Sequence, residues 1–207
     1  MHSRLSSVLT TADLPIAELS SARLDGELFG LGEFWCPIDV HDEPATRALS
    51  VARLLPRRAI AELQSAAWIY GVAPEPAQHR VCVDTRARAV IASSPRLQVR
   101  ELRRVGDDSQ LIGGLGVTTP LRTAIDLARW EQPTTLAVPE VLAGLLRYAG
   151  FASVGPVLEG FVAHSRAEAR RALDRLAQTQ LLLNDRPHGP DSSPRWLSLA
   201  KPPEPTL

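Results

Sequence analysis

The hydrophobic pattern of this chain changes its period twice, and that change limits the folds open to it. Between His79 and Val117 apolar and polar residues alternate, as around Val81 and Val83, which is the spacing of β-strands. On both sides apolar residues recur at three- and four-residue intervals instead, which is typical of helices. We therefore predict an α+β fold in which a small antiparallel or mixed sheet of about three to five strands separates two helical regions.

The helical region ahead of the sheet covers residues 45–70. Its first helix, residues 45–55, ends at Pro56, whose ring cannot continue a helix. The second helix begins near Arg57 and ends at Gly71, because glycine is a common helix stop. Its apolar face is formed by residues at helical spacing, namely Ile60, Leu63, Ala67 and Tyr70.

A sharp helix start follows the sheet. Thr119 is predicted to be the N-cap and Pro120 the first helical residue, where its missing N–H costs nothing. Ser165 and Glu168 have the spacing of a capping box and predict the start of the last helix. Residues 119–183 are therefore predicted to form a C-terminal helical bundle.

Two segments near the sheet have the composition of ligand sites. The run Gly113-Gly114-Leu115-Gly116 precedes a helix, as phosphate-binding loops do, but the Gly-Lys-Ser/Thr ending is missing. A glycine pair between short strands favours a two-residue hairpin instead. Asp107 and Asp108 form a carboxylate pair, yet Gly106 beside them makes a turn the simpler interpretation.

The beginning of the chain has a pattern of its own. Two short helical patterns, at residues 9–14 and 20–24, precede a ribbon of two short strands that starts near Leu28. Helix, helix and ribbon is the order of a minimal winged helix, so residues 1–43 are predicted to form a winged-helix-like module. Its candidate DNA-reading helix extends over about residues 16–25 and carries Ser20, Ser21 and Arg23.

The chain is thus predicted to have three parts. The winged-helix-like module is followed by an α/β domain at residues 44–183, in which the sheet covers residues 79–117. The last part is a segment with a high proline content at residues 184–207, which is predicted to be an extended tail.

Positive charge is carried almost entirely by arginine. Lysine and arginine together number 23 and Lys201 is the single lysine, so 22 are arginines. Schiff-base and P-loop chemistry, which need a lysine, are thereby excluded from the folded body. The five histidines are scattered, and Cys36 and Cys82 lack metal-ligand spacing and are predicted to be free and buried. We predict no catalytic activity, no cofactor, no metal and no small-molecule substrate.

The net charge is zero but unevenly distributed. Residues 1–40 carry two basic and six acidic groups, residues 41–104 carry eleven and six, and residues 105–207 carry ten and eleven. The basic middle segment favours a polyanion or an acidic protein as partner. No apolar run is long enough for a signal peptide or a membrane span, which predicts a cytoplasmic protein without a membrane partner.

Three groups of arginines are candidates for partner or nucleic-acid binding, and solvated faces are the alternative interpretation. Those at even spacing around a strand would project from one sheet face, where the planar guanidinium suits carboxylates or phosphates. The candidates are Arg57, Arg58, Arg96, Arg100, Arg104, Arg166, Arg170 and Arg171.

Two segments of the chain resemble a known family. The stretch Val117-Thr118-Thr119-Pro120-Leu121-Arg122-Thr123-Ala124-Ile125-Asp126-Leu127-Ala128 and the small-residue segment Ser65-Ala66-Ala67-Trp68-Ile69-Tyr70-Gly71 are similar to the AbiEi-like antitoxins of bacterial type IV toxin–antitoxin systems. Within the first stretch, Arg122 and Asp126 are four residues apart and are predicted to pair on a helix surface. The fold signature comprises Thr118, Thr119, Pro120, Arg122 and Asp126.

The resemblance implies a non-catalytic protein with two binding activities. A winged-helix module would bind the protein's own promoter, and a larger C-terminal domain would neutralise a nucleotidyltransferase-like toxin. The first module departs from this pattern, because an excess of four acidic groups in residues 1–40 repels DNA. The order helix, helix and ribbon at the start of the chain still gives an alternative function, a winged-helix DNA-binding transcriptional regulator with no direct toxin contact.

Overall fold

The computed structural model of the chain describes residues 6–55, 58–84, 94–102, 108–130 and 136–185. Within these ranges the chain forms helices, a two-stranded sheet and a five-stranded sheet. The predicted α+β class is therefore confirmed. None of the helices in these ranges combines the length and the apolar character that crossing a membrane requires. The predicted tail lies outside the described residues from position 186 onwards.

The N-terminal part contains one helix and a ribbon. Helix α1 is Ile16–Leu24, and strands β1 (Leu28–Leu31) and β2 (Phe34–Pro37) pair antiparallel. The second predicted helix is therefore present, with bounds that match those predicted for the DNA-reading helix. The predicted first helix is wrong, since residues 11–14 form a turn closed by the side chain of Asp13. Pro15 follows this turn and prevents the helix from extending backwards.

The region between the ribbon and the main sheet differs from the prediction in one element. Helices α2 (Pro44–Ala52) and α3 (Leu63–Ile69) are present, but a short strand, β3 (Ile60–Ala61), replaces the first turns of the predicted second helix. Ile60 therefore belongs to a strand, and its register partner is Cys82. The switch from strand to helix is abrupt, because Leu63 has a φ of 53°, a conformation rarely adopted by residues other than glycine.

The main sheet is mixed and has β3 at its centre. Its other strands are β4 (His79–Asp84), β5 (Leu97–Leu102), β6 (Ser109–Ile112) and β7 (Leu115–Thr118), in the order β5-β4-β3-β7-β6. Strand β3 is antiparallel to β4 and parallel to β7. The predicted strands between 79 and 117 are confirmed, but the sheet also includes β3, which lies outside that range.

A tight hairpin joins β6 to β7. Gly113 and Gly114 have φ values of 53° and 83°, which is the backbone of the two-residue turn that twists with the strands. The hairpin predicted from the glycine pair is therefore confirmed. This turn also touches helix α2, because the backbone of Gly113 lies against Ala45 and Ala48.

Four more helices lie within the described ranges after the main sheet: α4 (Pro120–Arg129), α5 (Val138–Tyr148), α6 (Gly155–Gly160) and α7 (Arg166–Asn184). Both predicted caps are confirmed, since Thr119 accepts from the N–H of Arg122 and Ser165 from that of Glu168. Helices α4, α5 and α7 pack against one another. The buried side of α7 is formed by Ala172, Leu176, Thr179 and Leu183.

The main core joins α2 and α3 to the α4–α7 region. Ile69, Leu127 and Leu142 are fully buried in it. Cys36 and Cys82 are both free and buried, as predicted. Burial, and to a smaller extent the charge of Asp42, raises the pKa of the Cys36 thiol to about 11, so this thiol remains protonated at neutral pH.

Candidate functional site

The two faces of the main sheet differ in polarity. Register pairs Ile60 with Cys82 and Cys82 with Arg100, so even-numbered residues of β3, β4 and β5 share one face. The other face carries buried Ala61 and Val81. We call the first side the polar face, and define it by Glu62, Arg80, Gln98 and Arg100.

A bidentate ion pair lies at the centre of the polar face. Arg100 donates from Nε to Oε1 of Glu62 over 3.1 Å and from Nη2 to Oε2 over 2.7 Å. The side chain of Glu62 is 2% exposed and that of Arg100 is 47% exposed. Partial burial is the largest single effect on the pKa of Arg100 and lowers it. The hydrogen bonds to Glu62 together with the charges of Glu62 and Asp126 outweigh burial, so the pKa is raised overall. The carboxylate therefore depends on the arginine for much of its stabilisation.

Helix α4 borders the same face. The guanidinium of Arg80 lies over the ring of Trp130, 5.1 Å from its centroid, which is a cation–π distance. Burial lowers the pKa of Arg80, whereas the charge of Glu62 acts in the opposite direction. The charge of Asp126 in α4 also acts on Arg100. Cations and carboxylates of the polar face thus compensate one another within the chain.

Arg96 connects the N-terminal ribbon to the main sheet. Its Nε lies 2.9 Å from Oε1 of Glu33 and its Nη2 lies 2.9 Å from Oε1 of Glu75. Its Nη1 also donates to the carbonyl oxygen of Ala77 over 3.1 Å. Of the arginines expected on this sheet face, Arg96 and Arg100 are both engaged internally, and Arg104 lies outside the described residues.

The fold signature forms the junction between β7 and α4. The hydroxyl groups of Thr118 and Thr123 are 2.8 Å apart, and Thr119 caps the helix that Pro120 begins. The predicted pair of Arg122 and Asp126 is confirmed, with 2.8 Å between Nε and Oδ2. Arg122 also lies 3.0 Å from a carboxylate oxygen of Asp108. These contacts fix the junction, which agrees with a structural role for the motif.

The arginines of α7 divide into two kinds. Arg166 and Arg170 are exposed, and neither side chain makes a hydrogen bond or ion pair to another described residue. Arg171 is half-buried and has contacts within the chain. Arg175 points inwards and donates from Nη1 to the carbonyl oxygens at the end of α4, those of Leu127, Ala128 and Trp130.

The remaining predicted residues do not come together with these groups. Arg58 is exposed, and Arg57 lies outside the described residues. Ser20, Ser21 and Arg23 are exposed on α1, which buries only Leu19. The guanidinium of Arg23 lies over Gly30 of the ribbon. A Cβ added to Gly30 would lie 3.5 Å from Cζ of Arg23.

Sequence reasoning missed the acidic partners of these arginines. Glu62 stands alone in the apolar run Ala59-Ile60-Ala61-Glu62-Leu63, and an isolated carboxylate in such a run was the available signal for a buried ion pair. Glu33 and Glu75 gave no comparable signal. Glu168 pairs with Arg129 over 2.6 Å, and the N–H of His164 and then Arg129 lower the pKa of Glu168.

The charged side chains around the polar face mainly hold the fold together. No cluster of three or more His, Cys, Asp or Glu side chains in the described ranges could hold a metal ion. The carboxylates nearest the polar face are directed at arginines of the chain itself, so charge-assisted hydrogen bonds hold this face together. Among the described residues, the exposed arginines whose side chains have no hydrogen-bond or ion-pair partner are Arg23, Arg58, Arg166 and Arg170.

Comparison with known proteins identifies the family of the chain. Residues 59–178 match the family model of the AbiEi antitoxin C-terminal domain. The matched region runs from the edge of β3 into α7, and it includes the polar face, the junction motif and the exposed arginines of α7. The N-terminal ribbon and α1 lie outside it. No curated protein matches the chain.

Proposed function

Since the chain belongs to the AbiEi antitoxin family, we propose that it is a cytoplasmic bacterial antitoxin that neutralises a cognate nucleotidyltransferase-like toxin by forming a complex with it. In this proposal the system is of type IV and the antitoxin has no catalytic activity of its own. The family match over residues 59–178 carries the proposal. The exposed arginines of the same region support it, because they offer charge to an acidic protein surface.

The distribution of internal ion pairs also supports a binding role. Arg96, Arg100 and Arg122 are held by carboxylates of the chain itself, so they stabilise the fold rather than await a substrate. Arg166 and Arg170 have no such carboxylate in the described residues. A partner that supplies carboxylates would therefore gain charge-assisted hydrogen bonds.

A growth assay tests this proposal. The toxin gene adjacent to the antitoxin gene is induced alone and together with the full chain, and we expect the chain to restore growth. The chain should also co-purify with the toxin, because complex formation is the proposed means of neutralisation. An empty vector is the negative control. Continued growth arrest in cells that contain folded, abundant chain would contradict the antitoxin function.

A regulator that binds promoter DNA is the second candidate. Its supporting observation is the exposed side of α1 beside the ribbon, where Ser20, Ser21 and Arg23 face solvent. In this proposal residues 1–43 act as a winged-helix-like module and regulate the protein's own promoter. Glu18 and Asp25 lie on or directly after the same short helix, so the module offers little positive charge to a phosphate backbone.

A gel-shift assay on the upstream promoter tests the regulator. We expect weak retardation at about 50 mM salt, because phosphate contacts supply most non-specific affinity and the acidic module lacks them. An Arg23→Ala variant should behave as the native chain does. Tight binding that weakens steeply with salt and is lost in Arg23→Ala would instead establish α1 as a DNA-reading helix.

A further inference from the structure

The N-terminal ribbon has two faces, and each face packs on a different part of the chain. Residues opposite each other in the register share a face. The side chains of one face pack in the main core, and they are Phe29, Leu31, Phe34 and Cys36. The opposite face carries Leu28 and Trp35, which pack with Leu19 of α1. The ribbon is therefore a layer between α1 and the main body of the chain.

Helix α1 is carried by this ribbon. Its main contacts are with β1, and the guanidinium of Arg23 covers Gly30 on the same face of the ribbon. Apolar contacts hold two layers together, but they are non-directional. They therefore fix the position of the ribbon more firmly than its tilt. The tilt depends on directional, polar contacts at the end of the ribbon.

Side chains of the matched C-terminal domain, residues 59–178, hold the turn of the ribbon. Arg96 places Nε 2.9 Å from Oε1 of Glu33 in the turn and Nη2 2.9 Å from Oε1 of Glu75. The backbone of Gly32 also lies against Glu75, since a Cβ added to Gly32 would be 3.1 Å from Oε1. The same carboxylate oxygen lies 3.7 Å from Nε2 of buried His79. We call Glu33, Glu75 and Arg96 the clasp.

We infer that the clasp is a conformational device through which the C-terminal domain fixes the orientation of α1. When the clasp is closed, the ribbon turn is tied to residues 75 and 96, and α1 has one orientation relative to the C-terminal domain. When it is open, the apolar layers still hold the ribbon, but the turn is released and α1 tilts. A group that competes for Arg96 would therefore change how α1 is presented. The inference goes beyond both proposed functions, because it concerns how α1 is held and not what it binds.

The clasp opens more easily than the layers beneath it. Its three side chains are between 29% and 46% exposed, and ion pairs at exposed sites are weak and screened by salt. Leu31 and Cys36 are instead buried in the main core. Burial of apolar surface does not depend on charge, so these contacts persist when the ion pairs are lost. Changes of charge and salt therefore act on the clasp and leave the layers in place.

A distance measurement between two spin labels on the full chain tests the inference. One label is attached through Ser20→Cys on α1 and the other through Ala177→Cys on α7, both at exposed positions. The native thiols of Cys36 and Cys82 are buried, so they do not compete for the label in the folded chain. We expect one narrow distance distribution, because the closed clasp gives α1 a single orientation.

Reversing the charges of the clasp gives the decisive comparison. Arg96→Glu sets three carboxylates against one another and should widen the distance distribution at least about twofold. Glu33→Arg alone, at an exposed turn, opens the clasp through repulsion from Arg96 and should also widen it. Combining Arg96→Glu with Glu33→Arg and Glu75→Gln forms the pair in the reverse sense and should return the width to that of the native chain. Arg58→Glu, a matched reversal of an exposed arginine outside the clasp, should leave the width unchanged.

Salt provides a second test of the same device. At about 1 M salt the Debye length falls to about 3 Å, so the distance distribution of the native chain should widen towards that of Arg96→Glu. A width that does not respond to salt would show that apolar contacts alone fix α1 and would overturn the inference.

The other outcomes are equally distinct. Equal widths in the native chain, Arg96→Glu and Glu33→Arg, with unchanged circular dichroism, would overturn the inference, and so would a reversed triple variant that remains as wide as Arg96→Glu. The distances are measured on the free chain. Failure of the clasp therefore leaves the antitoxin and regulator proposals standing, and failure of either proposal in the growth or gel-shift assay leaves the clasp standing.

Discussion

Replacing Gly113 with alanine should destabilise the fold by about 3–4 kcal/mol, whereas the same change at Gly114 should cost about 1 kcal/mol. Both glycines have positive φ values, 53° and 83°, so both substitutions incur the backbone penalty of the left-handed region. They differ in their surroundings. A Cβ on Gly114 meets nothing within 4 Å, but one on Gly113 would collide with the carbonyl oxygen of Ala45 and lie 3.3 Å from the Cβ of Ala48.

The comparison isolates the contact between the hairpin and α2. Because Ala45 contributes a backbone atom near the start of a helix, the clash can be relieved only by moving the helix or the turn. Urea unfolding of the two variants and the native chain measures the difference in the free energy of unfolding. Equal losses at both positions would show that the hairpin does not pack on α2 as described.

Replacing Arg100 with alanine should cost about 2–3 kcal/mol, which is large for a residue whose side chain is half exposed. The reason is that the substitution leaves the buried carboxylate of Glu62 without its main partner. Glu62 is 2% exposed, so its carboxylate would lose two charge-assisted hydrogen bonds without access to water. The positive charge of Arg80 still stabilises the carboxylate of Glu62 in this variant. The loss in the free energy of unfolding is therefore smaller than for a buried carboxylate without any cation nearby.

A second substitution distinguishes a stranded charge from a general loss of packing. Adding Glu62→Gln to the Arg100→Ala variant removes the buried charge and should restore about 1 kcal/mol. Arg58→Ala, at an exposed arginine, should stay within about 0.5 kcal/mol of the native chain. Thermal or urea unfolding at neutral pH gives all the values. If the loss in the free energy of unfolding of the double variant equals the sum of the losses of the Arg100→Ala and Glu62→Gln single variants, the two residues do not form a specific pair.

Sequence by itself determined the elements that depend on neighbours along the chain. Thr119 and Pro120 fix a helix start, because a cap and a ring act on backbone groups within three residues. The glycine pair at 113–114 fixes a hairpin, because only glycine adopts both backbone conformations without strain. The junction motif was also sufficient to indicate the family, which the match over residues 59–178 confirms.

Tertiary structure decided what depends on residues distant in sequence. Residues 60 and 61 have a helical pattern in the chain, but pairing with β4 on one side and β7 on the other makes them the central strand of the sheet. The helical propensity of two residues is small in free energy, and the hydrogen bonds that β3 makes on both of its edges outweigh it. The availability of the arginines was likewise decided by residues distant in sequence. Glu33 and Glu75 pair with Arg96, and Glu62 pairs with Arg100, from positions far along the chain. Of the predicted binding arginines among the described residues, Arg58, Arg166 and Arg170 remain exposed without such a partner.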